Sequence, residues 1–465
     1  MRLLGRVRGG QRPRVFVFGL DGTPCSWLRA ETAAGRLPNL AALFRSSSLV
    51  SMRSSLPSVS STAWTTFLTG CDPGGHGLFG FMDCKPDSHD FYFPNLQHVT
   101  VPAIWDVLGP CGKRSVLLNV PGTYPARPVP GVLVSGFVAP SLARSVHPPR
   151  LLPRLRAMGY RIDLDNWAAR GGFEVLEADL FATFERRVEA IRMLLAEEPW
   201  DLFVTVLTET DRLYHFLWNA MAAGEERAVD LFHRFHARVD EFAGWLFNTL
   251  PDGTELIALS DHGFAAEHSD VFTNAWLRGR GYLAFDTDEP KGLAAISPES
   301  TAFSLDPGRF YVNRVGRRPR GSVPPERASE VVERLVADLA DLRDPATGEP
   351  AYGRLLRRED AYHGPFAPLG PDVVLTLRPG YELKGSSAAR SVFGPPGDGL
   401  GGMHTADDAF LCVRGATLRD GPYDLHDLAP TILELFGVEP EGFQGRSVIA
   451  PTTASATVGG AGMGR

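Results

Sequence analysis

The sequence predicts an α/β protein with a large, mostly parallel central sheet sandwiched by helices, and three observations predict it. Short apolar runs rich in β-branched and aromatic residues alternate along the 465 residues with segments of helical periodicity. Several of these runs end at once in an acidic or turn-forming residue, as buried strands do when they deliver a site at their carboxyl ends. Apolar residues make up 44% of the chain and charged residues 22%, the proportions of a globular protein with a sizeable core.

Composition also narrows function. A net charge of −7 argues against a binder of nucleic-acid polymers. Five cysteines, at 25, 71, 84, 111 and 412, are odd in number and lack C-x-x-C spacing. Neither a disulfide framework nor a thiolate zinc site is therefore expected, and a reducing, cytoplasmic setting is. The first 14 residues are basic without an apolar centre, and no run of about 20 apolar residues occurs anywhere, so neither secretion nor a membrane span is expected.

Taken in order, residues 15–20 read as a buried strand that stops at Asp21-Gly22. Residues 38–44 read as a short helix. Ser58, Ser60, Ser61 and Thr62 then stand between a proline turn and the periodic Ala63, Trp64, Phe67 and Leu68. Read alone, such a cluster is a helix N-cap. The same position also faces unpaired N–H groups that favour an anion.

A helix over 101–108 and a strand over 115–120 continue the alternation. From about 141 to 172 the composition turns to Pro, Arg and Gly without periodicity, which suggests an inserted cap. Leu180, Phe184, Val188, Ile191 and Leu195 form a helical stripe, as do Phe232, Phe235, Val239, Phe242 and Leu246. Between them, the strand 202–207 leads into Thr208-Glu-Thr-Asp-Arg-Leu-Tyr-His215, where Asp211 and His215 stand four apart on one helix face. A strand over 255–260 ends in Asp261-His262-Gly263, the third strand to deliver an aspartate.

Residues from about 277 to 400 are rich in Gly, Pro and Arg, with a helix near 331–339 and a strand over 373–377, and read as a second insertion. A glycine-rich stretch leads to His404, a strand covers 409–413, and a helix over 424–437 closes the fold. One catalytic domain over 14–450 is expected, with cap insertions at about 141–172 and 277–400 and a disordered tail over 451–465.

Asp21, Asp211, His215, Asp261, His262 and His404, with a hydroxyl from the 58–62 cluster, make a set whose oxygen and nitrogen donors suit two borderline divalent cations such as Zn²⁺. Two such ions can serve the attacking and the leaving oxygen of an in-line phosphoryl displacement.

Gly-Leu-Asp-Gly at 19–22, Pro-Ser-Val-Ser-Ser-Thr-Ala-Trp-Thr-Thr-Phe-Leu-Thr-Gly at 57–70, Pro-Gly-Gly-His-Gly at 73–77, the 208–215 segment, Ser-Asp-His-Gly at 260–263, His404 and Asp-Leu-Ala-Pro-Thr-Ile-Leu at 427–433 follow one another in the order found in the alkaline phosphatase superfamily. Over residues 14–447 the chain most resembles that superfamily's type I phosphodiesterase and nucleotide pyrophosphatase branch. The resemblance implies an alkaline phosphatase-like fold and hydrolysis of a small-molecule phosphate ester. It implies one metal held by Asp211, His215 and His404 and a second by Asp21, Asp261 and His262, with Zn²⁺ the expected ion and Mn²⁺ the alternative. Ser60 falls at the nucleophile position, where it would reach toward the second metal and form a covalent phosphoseryl intermediate.

Three departures stand out from the branch pattern. Ser60 occupies a position usually held by threonine, Thr62 one usually held by proline, and 78–83 reads Leu-Phe-Gly-Phe-Met-Asp where an asparagine usually contacts the phosphoryl oxygens. A phosphomonoesterase or phosphomutase on the same fold is the alternative within catalysis, and an inactive metal-binding scaffold the alternative outside it. Cys71-Asp-Pro-Gly-Gly75 lacks the arginine of the sulfatase pattern, and a sulfatase is disfavoured.

Overall fold

The computed structural model describes residues 13–451 except 86, 166–167 and 398–400. The expected disordered tail falls, from 452 onward, outside the described residues. Eight strands form the central sheet: β1 (Arg14–Leu20), β2 (Leu49–Met52), β3 (Ser115–Val120), β4 (Gly131–Ser135), β5 (Val146–His147), β6 (Leu202–Leu207), β7 (Thr254–Leu259) and β8 (Ala409–Val413). Their spatial order is β2-β8-β7-β1-β6-β3-β4-β5. The five strands from β7 to β4 are parallel to one another, whereas β8 and β5 pair antiparallel at the two flanks.

Helices cover both faces because each strand alternates its side chains between two apolar layers. From β1, Phe16, Phe18 and Leu20 enter one core with Leu180 and Phe184 of α2 (Phe173–Glu197), Leu213 of α3 (Glu209–Ala222) and Phe235 and Phe242 of α4 (Glu226–Thr249). Val15 and Val17 enter the other with Trp64 and Phe67 of α1 (Ser60–Thr69) and Ile432 and Leu433 of α5 (Leu428–Leu435). Both predicted stripes, on α2 and α4, thus face the core, with Leu195 at its margin.

The two Gly-, Pro- and Arg-rich stretches differ in kind. Within 141–172, β5 joins the sheet edge, and Leu151, Leu155 and Tyr160 pack into the main core. Within 277–400, four antiparallel strands and the helix Ala328–Leu339 surround a separate apolar cluster that includes Phe303, Phe310 and Leu335.

The start of α3 is fixed by a fully buried ion pair, Arg187 to Glu209 at 2.9 Å, with both side chains at 0% exposure. Arg187 also donates to Tyr160 Oη and to the Ile162 carbonyl. Removing the guanidinium leaves a buried carboxylate without its counter-charge. Arg187→Ala should therefore lower stability by about 3–5 kcal/mol, read as a lower urea midpoint at unchanged slope.

Candidate metal and nucleophile site

Because β7, β1 and β6 are adjacent and parallel, with Gly19 level with Leu259 and Leu20 level with Leu207, their carboxyl ends lie side by side. Asp21 follows directly on β1, Asp261 one residue beyond β7 after Ser260, and Asp211 sits in the first turn of α3 beyond β6. All three are buried. His215 stands one turn along α3 from Asp211. His404 is placed by a short ladder in which the strand Gly402–Thr405 pairs antiparallel with Gly263–Ala266, immediately after His262.

The six predicted ligand residues come together as two groups. Asp211, His215 and His404 form one, and Asp21, Asp261 and His262 the other; within each, the donor atoms all lie within 4.8 Å of one another. The groups adjoin, with His262 Nε2 4.0 Å from Asp211 Oδ1 and the His262 and His404 rings stacked at 3.7 Å.

The donor chemistry fits divalent cations. Asp211 Oδ1, which accepts no hydrogen bond, lies 3.3 Å from His404 Nε2 and 3.5 Å from His215 Nε2. Asp261 Oδ2 is likewise buried without a hydrogen-bond partner. His404 Nδ1 lies 2.7 Å from the Ser58 carbonyl and His262 Nδ1 3.1 Å from that of Gly263. A proton held on Nδ1 by those carbonyls puts the lone pair of the neutral ring on Nε2, the tautomer a metal ligand needs.

Ser60 is the first residue of α1, and its side chain does not cap the helix. The N-cap reading of the hydroxyl cluster therefore fails for Ser60. Its Oγ lies 3.3 Å from Asp21 Oδ1 and 3.2 Å from His262 Nε2, against the second group. The neighbouring hydroxyls of Ser61 and Thr62 are buried and have no hydrogen-bond partner.

Three supporting contacts to the carboxylates were not legible as such. Trp64, which reads as a core residue of an apolar run, donates its indole N–H to Asp21 Oδ2 at 2.9 Å. The approach depends on Gly19, where a Cβ would come within 2.6 Å of the ring. Gly22, at φ +70°, turns its N–H onto Asp261 Oδ1 at 3.1 Å. Arg212 donates to Asp211 Oδ2 at 3.0 Å and makes a two-pronged contact with Asp163. Asp163 lies 49 residues from Arg212 in the chain, and no local signal marks it. His76 is fully buried and orders the 73–78 loop through Thr66 and the Leu78 N–H.

Electrostatics split the set. Burial, then repulsion from Asp261 and Asp211, raises the Asp21 carboxyl well above its ordinary range. Burial raises Asp261 to about 7. For Asp211 burial works the same way but is outweighed by His215, His404 and Arg212, so it stays ionised. Burial lowers His215 to about 3 and His262 well below the usual histidine value, whereas Asp211 overcomes burial and raises His404.

A cavity of about 840 Å³ opens onto Ser60, Asp211, His215 and His404. Its walls include Phe81 and Phe137, stacked at 5.7 Å, and the strands Val373–Leu377 and Tyr381–Lys384 from the 277–400 stretch. Among the described residues no helix is long and apolar enough to cross a membrane.

Two tests follow from the geometry. Trp64→Phe keeps the ring but removes the donor to Asp21, and should weaken metal binding by about 10- to 100-fold while the protein stays folded, read by chelator competition. Metal affinity should rise with pH through about 7, because Asp21, Asp261 and His404 hold protons that a cation must displace, while Asp211, His215 and His262 are already in their ligating forms. Calorimetry in buffers of different ionisation enthalpy should show proton release that falls as the pH rises through about 7.

Comparisons with known proteins point the same way. A sequence model of the type I phosphodiesterase / nucleotide pyrophosphatase family matches residues 15–407. No curated protein matches in sequence. Phosphonoacetate hydrolase from Sinorhizobium meliloti 1021, in complex with phosphonoformate, superposes with a TM-score of 0.59 at 16% identity, covering 94% of this chain and 100% of that one. An inactive form of murine ectonucleotide pyrophosphatase/phosphodiesterase 5, in complex with AMP, gives a TM-score of 0.56 at 14% identity, covering 93% and 97%. At these identities the structural likeness concerns the fold.

Proposed function

The chain belongs to the type I phosphodiesterase / nucleotide pyrophosphatase family of metal-dependent phosphoric ester hydrolases, and we propose that it cleaves a phosphodiester through Ser60 as nucleophile at a two-metal site. One observation carries the reading: Ser60 Oγ stands at the cavity floor, at the start of α1, within 3.3 Å of both Asp21 and His262. Asp211, His215 and His404 would hold one ion and Asp21, Asp261 and His262 the other, with Zn²⁺ favoured by the imidazole and carboxylate donors. Bound there, the ions supply Lewis acidity that lowers the pKa of a hydroxyl and offsets charge on the phosphoryl oxygens.

The residues do the rest. Ser60 donates its hydrogen to Asp21 Oδ1 and so turns an Oγ lone pair to the cavity, and Trp64 holds Asp21 in that orientation. Attack forms the Ser60 Oγ–P bond and breaks the bond from phosphorus to the leaving oxygen, which departs as an alcohol. Water then cleaves the phosphoseryl ester and restores the hydroxyl. The asparagine usual in the branch is replaced by an apolar segment. Its work on the phosphoryl oxygens passes to the N–H groups of Ser61 and Thr62, which precede the first intrahelical bond of α1 from Ala63 to Val59.

Zinc-loaded protein should hydrolyse bis(p-nitrophenyl) phosphate faster than p-nitrophenyl phosphate. Ser60→Ala should lower kcat by about 10³-fold or more with two metals per chain still bound. Preference for the monoester would move the assignment to a phosphomonoesterase or mutase, and metal binding without turnover of either ester would favour a scaffold.

A further inference from the structure

The two ligand groups do not carry equal charge. Asp21 and Asp261 give one group two carboxylates, whereas Asp211 is the single anion of the other, whose histidines, His215 and His404, bind a metal as neutral rings. The Asp211 group also has a cation against it. Arg212 Nη1 lies 3.0 Å from Asp211 Oδ2, on the same carboxylate whose Oδ1 faces His215 and His404. Taken alone, Asp211 and Arg212 cancel, and a divalent ion would meet no net attraction there.

Asp163 changes that balance. It meets the other edge of the guanidinium with both prongs, Nε at 3.0 Å and Nη2 at 2.7 Å, and the two side chains are only 14% and 11% exposed. Asp163, ahead of Asp211, keeps Arg212 charged against the cost of its burial. The carboxylate is itself held in place from both sides in sequence. Arg187, which grips Glu209 in the first turn of α3, also bonds Tyr160 and the Ile162 carbonyl, and Arg161 pairs with Asp179. The face of the Arg212 guanidinium lies over the Phe137 ring at 4.3 Å.

We infer that Asp163 is a positioning residue for the metal at Asp211, His215 and His404: by neutralising Arg212 it lets the guanidinium orient Asp211 without competing for its charge. The inference rests on the two-metal reading proposed above and adds that one group depends on a residue of the 141–172 stretch while the other does not. Balanced by Asp163, Arg212 acts on Asp211 chiefly as a hydrogen-bond donor. Without Asp163 it is a rival cation 3.0 Å from a metal ligand.

The test reads zinc binding by chelator competition, one group at a time. Asp261→Asn disables the Asp21 group and leaves the Asp211 group to be measured; His215→Ala does the reverse. In the Asp261→Asn background, Asp163→Asn, which keeps the shape of the side chain and one acceptor, should weaken zinc binding about 10- to 100-fold. In the His215→Ala background the same change should alter binding by less than about twofold. Adding Arg212→Met to Asp163→Asn removes the rival charge as well, and should raise the affinity of the Asp211 group again by about tenfold. A merely structural contact would give the opposite result, because the double variant has lost a second buried partner.

Equal weakening of both groups, no weakening of either, or a double variant that binds no better than Asp163→Asn overturns the inference. If Asp163→Asn alone does not fold, the double variant decides: zinc affinity within about tenfold of the Asp261→Asn parent supports the inference, and a greater loss overturns it. Zinc binding is read without turnover. A protein with the expected asymmetry that hydrolyses no phosphodiester therefore supports the role of Asp163 and removes the phosphodiesterase reading, whereas diester hydrolysis with zinc affinity indifferent to Asp163→Asn overturns the inference alone. Absence of zinc binding in both backgrounds overturns it together with the two-metal reading.

Discussion

The constraint on which the site depends is the burial of three carboxylates at the ends of three adjacent parallel strands. Asp21, Asp211 and Asp261 are each no more than 3% exposed. Like charges held so closely in a low-dielectric setting favour protonation unless cations intervene. The protein meets part of that demand itself, by the Trp64 indole on Asp21, the Gly22 N–H on Asp261 and Arg212 on Asp211. What remains unmet is an excess of negative charge of the kind that metal ions neutralise, and it lies beside the Ser60 hydroxyl.

The scaffold follows from holding that cluster in place. Parallel pairing sets the three strand ends level, and helices on both faces keep the strands dry. Gly19 has no side chain because the Trp64 ring occupies that space, and Gly22 is left-handed because its N–H must turn back toward Asp261. The 263–266 and 402–405 ladder brings His404, some 140 residues later in the chain, over His262. The buried Arg187–Glu209 pair does the same for the first turn of α3.

Much of this was legible in sequence because it is periodic or local. The strand runs 15–20 and 255–260 carry their aspartates directly behind them, the run 202–207 leads to one four residues on, and the spacing of Asp211 and His215 matches one helical turn. What escaped notice depends on side chains that look ordinary locally. Trp64 sits in an apolar stripe and reads as core, yet its one polar atom orients a carboxylate. Asp163 and Arg150 lie in a stretch without periodicity, and their partners Arg212 and Glu198 are distant in the chain. The 277–400 stretch showed one helix and one strand because its other strands are short and separated by Pro, Gly and Arg; pairing between them becomes visible only in three dimensions.

The hydroxyl cluster shows why local preference alone decides little. Ser at a helix start ordinarily caps it, but capping requires the side chain to fold back on the N–H groups of its own first turn. Ser60 is one residue too far into α1 for that role, Val59 occupies the cap position, and the N–H groups stay open. The same displacement that costs the helix a cap gives the site a hydroxyl, followed by N–H groups with no intrahelical partner. The branch usually carries an amide where this chain has Leu78, Phe79 and Phe81, and on the phosphodiesterase reading proposed above those N–H groups would be the neutral part of the phosphoryl-binding surface. Of the side chains at those positions, Phe81 lines the cavity, stacked on Phe137, while Leu78 and Phe79 are buried.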